Sequence, residues 1–219
     1  MSINLQKGQK IDLTKGNNGL IHIMVGLGWD EAQPQPQQII GGSGGGLFNR
    51  LFGSKAPVSQ TPQSSEKPED IDCDASAILC DSDGKYMDLV YYRNLYLSDG
   101  SIVHQGDNLT GAGEGDDEQI MVDLSKISQL VGKIVFVVNI YQASKRKQHF
   151  GMINNAFIRL VDIDKNTEIC RYNLSDNYYG MEGLIVGEIY RYNREWKFNA
   201  IGQPVKDASH VDKLTAMYK

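Results

Sequence analysis

The sequence predicts an all-β protein, built as a sandwich or a barrel. Many short segments alternate apolar and polar residues, and turns rich in glycine and aspartate separate them. No long segment shows the apolar spacing of a helix. The strongest segment, residues 133–141, is an apolar run of mostly β-branched residues. Such a run predicts a strand that is buried on both faces.

The other elements follow the same reasoning in chain order. Residues 3–13 predict one or two short strands, and residues 20–27 predict an apolar strand that ends near Gly28. An acidic turn at 81–85 joins two strands into a hairpin. Further strands are predicted at 119–124, 156–163, 168–174 and 183–192, and a last strand at 194–202 pairs with its predecessor across Asn193 and Arg194. The tail, 206–219, is suited to a polar helix.

Length and composition predict one soluble domain with an insertion. The 219 residues are 41% hydrophobic and 22% charged, which is ordinary for a globular protein. We interpret residues 1–219 as a single domain. Residues 31–70 are rich in proline, glutamine, glycine and serine, which predicts a flexible insertion within it. Inside the insertion, Leu47, Phe48, Leu51 and Phe52 would form a short apolar face that allows weak contact with a partner or a membrane surface. The alternative, which we prefer, is a segment too short to hold a helix alone.

An acidic, glycine-rich loop at residues 106–118 is the main candidate site. It holds four glycines and six acidic or amide side chains, with no basic residue among them. Its carboxylates repel one another, and its glycines lose much conformational freedom on ordering. A Ca²⁺ ion would offset both costs, because it takes 6–8 oxygen ligands in irregular geometry. The candidate ligands in the loop are Asp107, Asn108, Asp116, Asp117 and Glu118. A solvated acidic turn is the alternative.

Three more carboxylates are expected to join this loop. In an extended chain, Asp72 and Asp74 share one face and Cys73 takes the other. Asp30 ends the strand before the insertion, and a flexible insertion can return the chain to its starting point at modest entropic cost. Together these residues supply enough oxygen atoms for more than one Ca²⁺ ion.

Several ordered motifs resemble the TerD family of tellurium-resistance and stress-response proteins. They are VGLGWD at 25–30, DCDASA at 72–77, GDNLTG at 106–111, GDDEQ at 115–119, QHFG at 148–151, NAFIR at 155–159 and GEIYRY at 187–192. The resemblance covers about residues 2–203, apart from the insertion. It implies a β-sandwich of two sheets in which antiparallel pairing dominates, with calcium bound by the clustered acidic loops. It also implies a cytoplasmic stress role without a defined catalytic reaction, with protein partners in a stress-response complex.

The composition disfavours other functions. A net charge of −5 and a pI near 5.4 argue against nucleic-acid binding. No apolar run is long enough to span a membrane, and the N-terminal residues lack the pattern of a signal peptide. Three cysteines without metal-ligand spacing indicate buried thiols in a reducing compartment. We therefore expect a cytoplasmic protein.

Three rival interpretations remain. A glycosidase would need one carboxyl kept protonated in an apolar site, which an anionic glycine loop does not offer, so we expect no enzyme. A nucleotide-binding module is disfavoured because the glycines at 111–115 lack the Lys-Ser/Thr of a P-loop, so Ca²⁺ would have to bridge to the phosphate. Lys145, Arg146 and Lys147 offer a separate small basic patch, but a solvated turn after the strand at 133–141 is the favoured interpretation. The third rival is a protein-interaction module in which Ca²⁺ is structural.

Overall fold

Two six-stranded sheets account for about half of the residues described in this computed structural model, which are 2–15, 19–31, 70–106 and 115–219. The strands are β1 (Ile3–Leu5), β2 (Lys10–Asp12), β3 (His22–Glu31), β4 (Cys73–Cys80), β5 (Tyr86–Val90), β6 (Ile102–His104), β7 (Glu118–Asp123), β8 (Lys133–Ile140), β9 (Ile153–Asp162), β10 (Thr167–Asn173), β11 (Gly183–Tyr192) and β12 (Glu195–Val205). The helices are short: α1 (Ala143–Arg146), α2 (Val211–Thr215) and 3₁₀ turns at Phe150–Met152 and Ala216–Tyr218. The all-β prediction is confirmed.

The strand order shows how the two sheets are built. The first sheet runs β1-β10-β9-β3-β7-β6, and the second runs β2-β12-β11-β8-β4-β5. Neighbouring strands are antiparallel except for β1, which pairs in parallel with β10. The predicted hairpin across Asn193 and Arg194 is present, and both residues have the positive φ that a tight two-residue hairpin turn requires. The sandwich is therefore made mainly from local hairpins and antiparallel neighbours.

The main core lies between the sheets. Ile23, Leu160, Phe136 and Phe198 are fully buried there, the first two on the first sheet and the others on the second. A smaller apolar cluster on the outer face of the second sheet joins Val135 and Val137 of β8 to α2. Strand β8 is therefore buried on both faces, as its sequence predicts.

Two irregularities shape one end of the sandwich. Strand β4 pairs with β8 along its whole length but with β5 only from Ala77 onward, so within the described residues the first half of this edge has no strand partner. In the first sheet, the register between β3 and β9 shifts between Gly28 and Asp30, and Asn155 on β9 has a φ of 53°. This shift is a β-bulge, a feature that often lies beside functional sites.

The insertion prediction falls on residues outside the described part of the chain. Residues 32–69, with Leu47, Phe48, Leu51 and Phe52, are not described. Among the described residues, no helix has the length and apolar character that crossing a bilayer requires.

Candidate functional site

Six of the eight predicted ligands lie within the described residues, on strands that end near the β-bulge. Asp30 is on β3, Asp72 precedes β4, and Asp74 is on β4. Asp116 and Asp117 precede β7, which Glu118 begins. Asp107 and Asn108 lie outside the described residues, so their role stays a prediction.

Asp117 extends the pairing of β3 beyond the end of β7. Its backbone N–H donates to the Leu27 carbonyl at 2.8 Å, and its side-chain Oδ2 accepts the Trp29 N–H at 2.7 Å. Burial raises the pKa of Asp117 above its usual value, and the nearby carboxylates of Asp30 and Asp116 raise it further. Negative charge at this position is therefore unfavourable unless a cation offsets it.

Asp30 lies opposite the bulge on β9. Its Oδ2 accepts a 2.7 Å hydrogen bond from the Asn155 side-chain amide. The positive φ of Asn155 turns this residue out of the regular strand path, and asparagine tolerates that conformation better than most residues. The bulge thus places an amide beside an exposed carboxylate.

Asp116 is held by an arginine that the sequence does not reveal as a site residue. Arg159 on β9 donates from Nε and Nη2 to the two carboxylate oxygens at 2.7 and 2.8 Å. The Asp116 side chain is only 1% exposed. Gly26 on β3 makes room for it, because a Cβ there would overlap the Asp116 carboxylate. The available signal was a lone arginine within an otherwise apolar strand pattern at 156–163.

Glu118 and His104 join the first sheet to the unpaired half of β4. Glu118 accepts the Ala75 backbone N–H, and His104 Nε2 lies 3.2 Å from the Ala75 carbonyl oxygen. The Gly106 N–H donates to His104 Nδ1 at 3.1 Å, so Nε2 carries the proton that the carbonyl accepts. We call Glu118, His104 and the Ala75 backbone the Ala75 clamp. It replaces the strand pairing that β5 does not provide.

Asp72 and Asp74 contact the second sheet and α1. Asp74 accepts a 3.2 Å hydrogen bond from the Asn139 amide, and Asp72 lies 3.6 Å from Arg146 Nη1. The sequence offered Arg146 as part of a basic patch separate from the site. The structure instead places Arg146 at this acidic end, because α1 brings its side chain close to Asp72. Cys73 points into the main core, as the predicted alternation requires.

The six carboxylates include the half-buried Asp117 and are grouped around it and the buried Cys73. Burial raises the pKa of Cys73 well above its usual value, and four neighbouring carboxylates add to the shift; they are Glu118, Asp74, Asp72 and Asp117. Asp117 in turn is close enough to Asp30 and Asp116 to be affected by both. The structure thus brings the predicted residues to one end of the sandwich. Within the described residues, however, no three acidic, histidine or cysteine side chains are close enough to hold a metal ion by themselves.

The three cysteines are free and buried, as predicted. Burial raises the pKa of Cys170 to about 12 and that of Cys80 to about 11. Thiols in this state are poor nucleophiles and poor metal ligands. The chemistry at the acidic end is therefore that of oxygen donors.

Comparison with known proteins agrees with these motifs. The profile of the TerD domain matches residues 1–218. A stress response protein of Bacillus subtilis (strain 168), SCP2, is 50% identical over 218 residues, covering 98% of each chain. The tellurium resistance protein TerD of Serratia marcescens is 39% identical over 206 residues, covering 93% of this chain and 91% of its own.

Solved structures share the fold. The crystal structure of a homologue of the telluride resistance protein TerD from Streptomyces coelicolor A3(2) superposes with a TM-score of 0.60 at 18% identity. The match covers 92% of this chain and 99% of the other. The profile match over nearly the whole length and the identities to curated relatives show that this chain belongs to the TerD family.

Proposed function

We propose that this protein is a calcium-binding stress-response protein of the tellurium-resistance type, which acts in the cytoplasm by binding and not by catalysis. The names of its relatives support the stress and tellurium-resistance role. The observation that carries the calcium proposal is the grouping of six carboxylates, Asp117 among them, at the end of the sandwich beside Cys73. A divalent cation would relieve the repulsion among them.

The donor chemistry at this end fits Ca²⁺ better than a softer ion. Carboxylate and amide oxygens dominate, and the only cysteine nearby points into the core with a raised pKa. Ca²⁺ prefers oxygen ligands and tolerates irregular geometry, whereas Mg²⁺ demands a tighter octahedral shell. We therefore expect Mg²⁺ to compete poorly.

Asp30 and Asp117 are the central ligands in this proposal. They lie next to each other at the end of β3 and the start of β7, and the predicted ligands Asp107 and Asn108 belong to the segment that precedes Asp117. Asp116 would share its carboxylate with Arg159. Asp72, Asp74 and Glu118 lie near Cys73 and would need further ligands to serve a second ion.

Calorimetric titration of chelator-stripped protein with Ca²⁺ tests this proposal. A hundredfold excess over Kd should stabilise the fold by about 2.7 kcal/mol. For a domain of this size, that corresponds to a rise in Tm of about 5–11 °C. Asp30→Asn combined with Asp117→Asn should remove most of the heat of binding and most of this rise.

A matched control variant removes the same two negative charges at exposed sites away from the proposed calcium ligands. Asp83 lies in the turn between β4 and β5, and Asp207 follows β12 with a positive φ that asparagine accepts. Asp83→Asn combined with Asp207→Asn should leave the isotherm unchanged. Unchanged affinity and stoichiometry in the Asp30/Asp117 variant would show that these residues are not ligands.

A further inference from the structure

An open cleft of about 480 Å³ adjoins Asp30 on the first sheet. Its walls include Trp29, Asn155, Phe157, Arg171 and Asn173. The volume lies in the range of about 300–1,000 Å³ that is common for small-molecule sites. The cleft therefore offers room for a small ligand beside the proposed calcium ligands.

One wall presents a cation in a fixed orientation. The Arg171 guanidinium lies over the Phe157 ring, 3.9 Å from its centroid. Its Nη2 is 3.6 Å from Glu168 Oε2, and the same oxygen accepts a 3.3 Å hydrogen bond from Arg159. Glu168 thus divides its charge between two arginines. In the described part of the chain, the Arg171 guanidinium donates no hydrogen bond, so its N–H groups remain available to a ligand in the cleft.

Another wall contains a buried donor without an acceptor. Trp29 is 5% exposed, and its indole N–H has no hydrogen-bond partner among the described residues. Buried tryptophan N–H groups usually find a partner. The indole N–H is itself almost inaccessible, so it adds no donor to the surface of the cleft, and the ligand must be held by other groups.

Charge determines which ligand fits. The arginine favours an anion, but Asp30 and Asp117 repel one unless a cation neutralises them, whereas Asp116 is already paired with Arg159. A phosphate monoester has three terminal oxygens, so it can accept hydrogen bonds from a guanidinium and still give an oxygen to Ca²⁺. A carboxylate has only two oxygens for both tasks.

We propose that the cleft binds the phosphate group of a small phosphomonoester between Arg171 and a Ca²⁺ ion held at Asp30. This inference rests on the proposed calcium function. It requires that phosphate binding depends on Ca²⁺, and it assigns to Arg171 a role in ligand binding that calcium binding alone does not need.

The test separates the two proposals by measuring two isotherms. The first is Ca²⁺ alone into chelator-stripped protein. The second is glycerol 3-phosphate into the same protein, either loaded with Ca²⁺ or kept in excess chelator. We expect phosphate binding only in the presence of Ca²⁺. No Ca²⁺ uptake refutes the proposed function together with this inference, whereas Ca²⁺ uptake without phosphate binding in any form refutes only the inference.

A vesicle arm identifies the source of the phosphate. Sedimentation with phosphatidylcholine vesicles, with and without phosphatidic acid, presents the same phosphomonoester on a lipid headgroup. Ca²⁺-dependent binding to the soluble probe supports a soluble ligand, and binding to phosphatidic acid vesicles alone supports a lipid headgroup. Absence of binding in both arms overturns the inference.

Arg171 variants locate the site. Arg171→Gln should weaken Ca²⁺-dependent phosphate binding at least about tenfold, because it removes a charge-assisted pair. Arg171→Lys keeps the charge but not the planar donor pair, so it should show an intermediate affinity. Both Arg171 variants should keep the Ca²⁺ isotherm of the wild type. The control, Arg194→Gln in the exposed β11–β12 turn, should keep both the Ca²⁺ isotherm and the phosphate binding. Wild-type phosphate affinity in Arg171→Gln would overturn the inference.

Discussion

The Ala75 clamp provides a direct test of what holds the two sheets together at the acidic end. Glu118 is 2% exposed and accepts the Ala75 N–H, so Glu118→Ala leaves a buried donor without its acceptor. Such a loss costs about 1–3 kcal/mol. At about 2 kcal/mol, the expected fall in Tm is about 4–8 °C for a domain of this length.

Comparison with Glu118→Gln shows whether the lost hydrogen bond to the Ala75 N–H causes the loss of stability in Glu118→Ala. Glutamine keeps an oxygen that can accept the Ala75 N–H, so its cost should stay below that of alanine. Urea unfolding followed by far-UV circular dichroism, with chelator present throughout, removes any contribution from Ca²⁺ binding. Hydrogen exchange of the Ala75 amide should become faster in Glu118→Ala and change much less in Glu118→Gln.

Glu195→Ala is a suitable control, because this half-buried residue begins β12 at the other end of the second sheet. Away from specific contacts, its effect should stay within about 0.5 kcal/mol. The reasoning fails if Glu118→Ala is no less stable than the control, or if Glu118→Gln loses as much stability as Glu118→Ala.

Two further substitutions test the packing and the titration of single carboxylates. Gly26→Ala should destabilise the fold by about 1–3 kcal/mol, because its methyl group would overlap the Asp116 carboxylate. The loss of stability should be smaller in an Asp116→Ala background, and an equal loss there would contradict this cause. Burial raises the pKa of Asp123, but hydrogen bonds from Ser125 and Lys126 outweigh it and lower the pKa to about 2. The ionised form therefore stabilises the fold above pH 4, and this contribution is lost as the pH falls through 2. Asp123→Asn should cost about 1 kcal/mol at pH 7 by urea unfolding, and a difference that stays constant from pH 7 to pH 3 would refute the assignment.

Local pattern was sufficient to predict much of this fold. The apolar run at 133–141 predicted a strand buried on both faces, and β8 is packed between the main core and α2. The turn at Asn193 and Arg194 predicted the hairpin that joins β11 and β12. The position of Asp30 at a strand end, with Asp72 across the insertion, was enough to predict that acidic residues converge.

The partners of those acidic residues depend on long-range register, which the sequence does not display. Arg159 reaches Asp116 only because β9 and β7 both flank β3, where Gly26 leaves space. The Ala75 clamp depends on where β5 stops pairing with β4. Alternation alone predicts which face a residue takes, but not which strand lies beside it.

The Ala75 clamp also bears on how calcium binding and stability are related. His104 precedes the acidic, glycine-rich loop and Glu118 is its last residue, and both contact the backbone of Ala75 on the second sheet. His104 and Glu118 therefore fix both ends of this loop to the same point of the fold, and Asp117 is tied in addition to β3 through the Leu27 carbonyl. If Ca²⁺ binds only the folded arrangement, each kcal/mol that the clamp adds to this arrangement reduces the cost of organising the ligands. By the same linkage, a bound Ca²⁺ ion would strengthen the contact between the sheets, so the proposed cation would act on the stability of the sandwich and not only on the loop that holds it.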